Sequence, residues 1–203
     1  MNVFITGASS GIGLAMAKEF AKRGATLGLV ARNASKLDSA LPEIPAPREQ
    51  IHLFSVDVTD KEAMVRVAKK FEDLTGGADI VIANAGISHG VKTEYFEDLA
   101  MLEQIYKTNV FAMAYTFHPF IAPMKTRGRG QLVGIGSVAG IRGLPGSEAY
   151  CASKSAVITY CESLRVEMGK VGILVQTICP GFVKTELTAK NPYKMPFLQT
   201  PEE

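Results

Sequence analysis

Tyr150 and Lys154 stand four residues apart in Tyr150-Cys151-Ala152-Ser153-Lys154, the spacing that sets two side chains on one face of a helix. A free phenol titrates near about 10 and is a weak base at neutral pH. A neighbouring ammonium favours the phenolate and lowers that value. So tuned, a tyrosine can give a proton to a carbonyl oxygen or take one from an alcohol. Ser137, in Gly134-Ile135-Gly136-Ser137, has a hydroxyl that can donate a hydrogen bond to the same oxygen and polarise it. Each group also has a plainer reading: Tyr150 and Lys154 as an amphipathic surface pair, Ser137 as a turn or helix-cap residue.

A second constellation lies near the start of the chain. Thr6-Gly7-Ala8-Ser9-Ser10-Gly11-Ile12-Gly13 follows directly on the apolar run Val3-Phe4-Ile5. Glycines between a strand and a helix let backbone N–H groups approach a pyrophosphate, which the positive end of the helix dipole also favours. The spacing is G-x-x-x-G-x-G rather than G-x-G-x-x-G. It is not a P-loop, because no Gly-Lys-Ser/Thr follows. A plain strand-to-helix turn built from small residues is the alternative.

The elements that must position these groups alternate along the whole chain. Val3–Thr6, Thr26–Ala31, Ile51–Val56, Ile80–Ala83, Gln131–Ile135 and Ile173–Ile178 are short, apolar and often β-branched, as suits strands buried on both faces. Helical patterns cover Ile12–Lys22, Lys61–Leu74, one long stretch Leu99–Met124, and Tyr150–Gly169. The expected fold is α/β, a Rossmann-type doubly wound parallel sheet with helices on both faces. In such a sheet ligands bind beyond the carboxyl ends of the strands, and each motif falls at such an end. No linker, repeat or low-complexity tract divides residues 1–203, so a single domain is expected.

Composition narrows the function. The chain has 203 residues, 47% hydrophobic and 21% charged, with a formal net charge of +2. So mild a charge argues against nucleic acid or a membrane surface as partner. The basic stretch Lys125-Thr126-Arg127-Gly128-Arg129-Gly130 reads as a solvated turn, since no aromatics interleave it. Cys151, Cys161 and Cys179 form no metal-ligand spacing, nor do His52, His89 and His118. No metal site is expected, and reduced thiols suggest a cytoplasmic protein. No run reaches the roughly 18 apolar residues of a membrane span.

From Gly7 to Thr185 the chain resembles the short-chain dehydrogenase/reductase family, in its common single-domain branch. Thr6 to Gly13 match that branch's Thr-Gly-x-x-x-Gly-x-Gly, and Asn84-Ala85-Gly86 its Asn-Ala-Gly after the fourth strand. Asn109 in Lys107-Thr108-Asn109-Val110 matches the long-helix asparagine, Ser137 the serine after the fifth strand, and Tyr150 with Lys154 the Tyr-x-x-x-Lys. Pro180, Gly181 and Thr185 match a Pro-Gly-x-x-x-Thr after the sixth strand. The resemblance implies catalytic roles for Asn109, Ser137, Tyr150 and Lys154, with Lys154 also holding the nicotinamide ribose and Asn109 in a water-mediated proton relay. Seen alone, Asn109 is a solvated helix residue.

The resemblance also implies a dinucleotide held by Gly7, Ser9, Ser10, Gly11, Ile12, Gly13, Asn84, Ala85, Gly86, Pro180, Gly181, Val183 and Thr185, together with Tyr150 and Lys154. Asp57 is expected on the adenine amino group with Val58 beside it; a helix cap is an equal reading of Asp57. NAD-preferring relatives carry an acid at the end of the second strand, where this chain has Ala31 and then Arg32. Arg32 can grip a 2′-phosphate, so NADP(H) is expected over NAD(H). The expected reaction interconverts a carbonyl and a secondary alcohol, with Ile141, Leu144, Phe182 and His89 facing an apolar substrate. A catalytically silent dinucleotide sensor or partner-binding protein is the rival reading. Relatives usually run on past a lid to a further strand, whereas Asn191 to Leu198 resembles only a lid's beginning. Either the sequence stops short of a longer chain, or another subunit covers the edge, which left open would invite pairing; on the second reading a homodimer or homotetramer is expected, formed through the helices Leu99–Met124 and Tyr150–Gly169.

Overall fold

The computed structural model describes residues 1–189 and 194–202. Six strands form one parallel sheet: β1 Asn2–Thr6, β2 Thr26–Ala31, β3 Ile51–Ser55, β4 Ile80–Ala83, β5 Gly130–Ile135 and β6 Ile173–Ile178. Their order is β3-β2-β1-β4-β5-β6. The order in which strands are added therefore reverses between β1 and β4, the place where an open α/β sheet presents a ligand crevice. Every expected strand is present to within a residue or two.

Alternation along each strand builds two cores. In β1, Phe4 points to one face and Val3 and Ile5 to the other. Phe4 joins Phe54 of β3 and Leu132 of β5 beneath three helices, α3 Lys61–Thr75, α5 Ala112–Arg127 and α6 Glu148–Gly169. Phe4, Phe71 and Phe120 meet there as tilted rings 4.9 and 5.4 Å apart, a favourable aromatic arrangement. Val3, Ile5, Leu27 and Leu29 pack instead against α1 Gly11–Lys22 and α2 Ala34–Ala40. The result is a three-layer α/β/α sandwich.

Three sequence expectations change. The long helix is interrupted: α4 Asp98–Tyr106 passes into a π-helical turn, Lys107–Phe111, before α5 begins. Asp60, not Asp57, caps α3, accepting from the backbone N–H of Ala63 at 2.9 Å. The basic stretch is no simple solvated turn, because Lys125 and Arg127 close α5 and Arg127 pairs with Glu72 at 3.0 Å. Beyond β6, Val183 bridges to Gln199. Asn191, Pro192 and Tyr193 of the lid-like segment lie outside the described residues.

Candidate active site

The glycine turn is shaped by contacts that a side chain would prevent. Gly7 and Gly11 have φ of +66° and +54°, the left-handed region where glycine is unstrained. A Cβ on Gly13 would lie 2.2 Å from the Gly7 carbonyl oxygen and 2.6 Å from Asn84 Nδ2. The turn thus folds flat onto the start of α1. Ser10 stands extended before that helix and makes no side-chain cap, and its first turn carries no acid. The leading N–H groups of α1, around Ile12 and Gly13, therefore face outward with the dipole's positive end, as a phosphate requires. Ser9 lies in the same turn. The residues fit a dinucleotide's pyrophosphate.

Asn84 holds this turn from the neighbouring strand. Its Nδ2 donates to the carbonyls of Thr6 and Gly7 at 2.9 and 3.1 Å. Thr6 Oγ1 in turn accepts from the backbone N–H groups of Asn84 and Ala85, both at 3.1 Å. The Asn84 amide is thus engaged by protein. Gly86 stands next to the catalytic group: a Cβ there would meet Asn109 Oδ1 at 3.2 Å and Lys154 Nζ at 3.5 Å.

Around the far side of the crevice the other expected residues are dispersed but close in. Thr185 Cγ2 lies 3.0 Å from where a Gly11 Cβ would be, so the segment after β6 reaches the glycine turn. The Pro180 carbonyl accepts from Val138 N–H at 3.1 Å, tying that segment to the Ser137 turn. Gly181 has open space around its Cα, and Val183 forms the bridge to Gln199. Arg32 Nη1 lies 3.9 Å from Asp57 Oδ2, and Asp57 Oδ1 also accepts from the N–H and hydroxyl of Thr59. Both residues are exposed at the ends of β2 and β3. Val58, by contrast, buries its side chain in the core under α3, which removes that side chain from any ligand.

The catalytic candidates converge at the carboxyl ends of β4 and β5. Ser137 is buried, and its hydroxyl oxygen accepts from Ala139 N–H at 3.1 Å. It caps the short 3-10 turn Val138–Gly140 while keeping its proton free to donate. Tyr150 sits in the first turn of α6, half-buried. Burial pushes its phenol above the usual value, a hydrogen bond with Ser137 pulling partly the other way. Lys154 is 5% exposed and donates to the Ile135 carbonyl at 2.7 Å. Its ammonium is 5.9 Å from the Tyr150 ring centre. Desolvation lowers its pKa to about 8. The expected lowering of the Tyr150 pKa by Lys154 is therefore not the dominant effect here. Desolvation wins, and Tyr150 is held as a proton donor at neutral pH.

Asn109 lies in the π turn, 3% exposed rather than solvated. Its Oδ1 accepts from Ile87 N–H at 2.8 Å, and its Nδ2 donates to the Ile87 carbonyl at 3.0 Å and to Ser153 Oγ at 2.9 Å. Both N–H donors are thus committed to protein. A π turn inside a helix often marks a functional site. Ser153 was not singled out in the sequence, though it lies within the Tyr-x-x-x-Lys stretch, three residues after Tyr150. Lys36 was missed as well; it pairs with Glu186 at 2.9 Å. No residue spacing signals that contact, since 150 residues separate the partners.

His89 lies in the loop after β4, exposed, and its neighbour Gly90 approaches the Gly146 carbonyl. Ile141 and Leu144 are exposed between Ser137 and Tyr150. Among the described residues no group of three or more His, Cys, Asp or Glu side chains could hold a metal ion. No described helix is long and apolar enough to cross a membrane.

Known proteins are similar to this chain in sequence and fold. A family model described as short chain dehydrogenase matches residues 1–195. An uncharacterized oxidoreductase of Myxococcus xanthus is 39% identical over 194 residues, covering 96% of this chain and 76% of the relative. Gluconate 5-dehydrogenase of Gluconobacter oxydans is 35% identical over 186 residues, covering 92% of this chain and 72% of the relative. The solved structure of ElxO with NADP bound superposes with a TM-score of 0.85 at 28% identity, covering 99% of this chain and 86% of that one. With the glycine turn, the neighbouring Tyr150 and Lys154, and the crossover at β1 and β4 in one sheet, the chain belongs to the short-chain dehydrogenase/reductase family, oxidoreductases acting on CH–OH groups.

Proposed function

We propose that the chain is a single-domain NADP(H)-dependent oxidoreductase that interconverts a carbonyl and a secondary alcohol, with Tyr150 as general acid and base. The observation that carries this is the placing of Tyr150 in the first turn of α6, with the Lys154 ammonium 5.9 Å from its ring centre and the buried Ser137 at the end of β5. When bound, the nicotinamide ring supplies or accepts the hydride. Tyr150 gives its proton to the carbonyl oxygen in the reductive direction and takes it back in the oxidative one. Ser137 donates a hydrogen bond to that oxygen, stabilising the charge that builds on it. Lys154 holds the ribose and, as a buried cation, favours the phenolate that Tyr150 becomes after proton transfer.

Gly7, Gly11 and Gly13 let the cofactor phosphates rest on the turn and on the α1 N-terminus. Arg32 takes the 2′-phosphate, in competition with its present partner Asp57, so the preference for NADPH over NADH is moderate. Ile141 and Leu144, exposed on the loop between Ser137 and Tyr150, fit a substrate with an apolar body. A groove of ≈ 690 Å³ crosses α3, α5 and α6, lined by Val65, Tyr115, Ile121 and Tyr160 and rimmed by the charged Lys61, Glu62 and Arg66. It supports pairing of two copies through this face, read out by light scattering. The three free thiols fit a cytoplasmic setting.

The test is consumption of NADPH against a panel of apolar ketones and aldehydes, with NADH in parallel. Turnover with NADPH exceeding that with NADH supports the reading. Binding of the nucleotide without turnover of any carbonyl would instead favour a silent sensor.

A further inference from the structure

We propose that Ser153 is a positioning residue that locks the catalytic end of α6 to the π turn carrying Asn109. The inference rests on the proposed activity for its kinetic consequence, though not for its geometry. Ser153 is 0% exposed and uses its hydroxyl twice. It donates to the Tyr150 carbonyl at 2.7 Å and accepts from Asn109 Nδ2 at 2.9 Å. Asn109 continues the line to both the N–H and the carbonyl of Ile87. One unbroken run of hydrogen bonds therefore joins the loop after β4, the π turn and the first turn of α6.

The physical consequence follows from satisfaction. Asn109 is 3% exposed and has two N–H donors, one on Ile87 and one on Ser153. Without the serine hydroxyl the second donor is orphaned in the interior, and a buried unmade hydrogen bond costs more than a made one contributes. The π turn must then shift to find a partner, and the Tyr150 backbone loses its extra donor. Lys154, the next residue, has its ammonium aimed at Ile135 by the same helical turn. Displacements well below an ångström in such a group lower turnover without removing any reacting atom. Ser153 touches neither substrate nor reacting atom; it acts through Tyr150 and Asn109.

The experiment compares wild type with Ser153→Ala by steady-state kinetics across pH and by hydrogen exchange. Expected are a roughly tenfold fall in kcat, NADPH affinity within about twofold of wild type, and a displaced pH profile of kcat, which loss of active enzyme would not produce. Amides of residues 107–111 should exchange about tenfold faster, with those of β1 unchanged. A Ser153→Ala protein with wild-type kcat, pH profile and exchange overturns the proposal. Should that variant not fold, Ser153→Cys, of similar volume but with a feeble hydrogen-bonding thiol, replaces it with the same two outcomes. If the wild type turns over no carbonyl, the proposed activity falls and exchange alone decides the anchoring: unchanged protection of residues 107–111 overturns it.

Discussion

The two ends of the parallel sheet treat the charges they take out of solvent in opposite ways. At the amino end, Arg127 reaches from the close of α5 to Glu72 at 3.0 Å and to the Ala78 carbonyl at 2.8 Å. Glu72 accepts from Ala78 N–H, and Asn2 donates to the carbonyls of Thr75 and Gly77. Charges there are matched, and the contacts tie the end of α5 to the end of α3 and the end of α3 to the starts of β1 and β4. At the carboxyl end, Lys154 is more deeply buried yet has no carboxylate partner among the described residues, only the Ile135 carbonyl. Two helix N-termini, both at the carboxyl end, differ in the same sense. Asp60 caps α3, whereas α1 makes no side-chain cap. Where the molecule only needs to stay folded, polar groups are closed off against one another. Where it binds and reacts, it keeps a cation and a helix end available, at a cost in stability.

The largest expected effect that sharpens this contrast is at Tyr150. Tyr150→Phe keeps the ring packed and removes only the hydroxyl that donates the proton, so turnover should fall by about 10² to 10⁴ with cofactor binding nearly intact. A variant keeping more than about a tenth of wild-type turnover would break the assignment.

Next comes the pH dependence of Lys154. Its folded pKa of about 8 lies below the ordinary value of 10.5. Below pH 8 both folded and unfolded states carry the charge, and the desolvation penalty is felt in full. Between pH 8 and 10.5 the unfolded chain binds the extra proton, so stability gains as pH rises through that window. Against Lys154→Met, whose side chain does not titrate, wild type should therefore gain about 2 kcal/mol from pH 7 to 9.5. Chemical denaturation of both proteins at the two pH values measures this; a constant difference would show that the ammonium is solvated.

At the opposite end, Arg127→Met should lower stability by about 2 kcal/mol, because it leaves Glu72 half-buried without its cation. Turnover per folded molecule should stay at the wild-type level. A loss of kcat with unchanged unfolding midpoint would blur the division between the two ends.

The smallest effect concerns Arg32. Arg32→Ala should weaken NADPH about tenfold and leave NADH nearly unchanged. Fluorescence titration of both cofactors decides it, and equal weakening of the two would remove Arg32 from the 2′-phosphate. Ala31 is less useful as a probe, because it is packed in the core with Leu29 and Leu37 and a carboxylate there would be buried.

Short-range chemistry explains what could be read in advance. The six strands, the glycine turn and the Tyr150–Lys154 spacing are local patterns, set by side-chain alternation, by the need for left-handed φ at Gly7 and Gly11, and by the helical repeat. Those the chain determines by itself. Asp57 has a side chain able to cap, but the helix begins at Lys61, so Asp60 takes the cap and Asp57 bonds Thr59 instead. Non-local contacts explain the rest. Lys125–Arg129 looks solvated until α3 brings Glu72 beneath Arg127. The Tyr150 pKa follows the depth of the pocket more than the nearby ammonium, and depth is a property of the packed fold. Asn109 and Ser153, 44 residues apart, meet only because α4 and α5 lie against α6 with a π turn between them. The sequence determined which groups could react; tertiary packing decided which are buried, which are paired and which are left free, because desolvation and hydrogen-bond partners depend on neighbours distant along the chain.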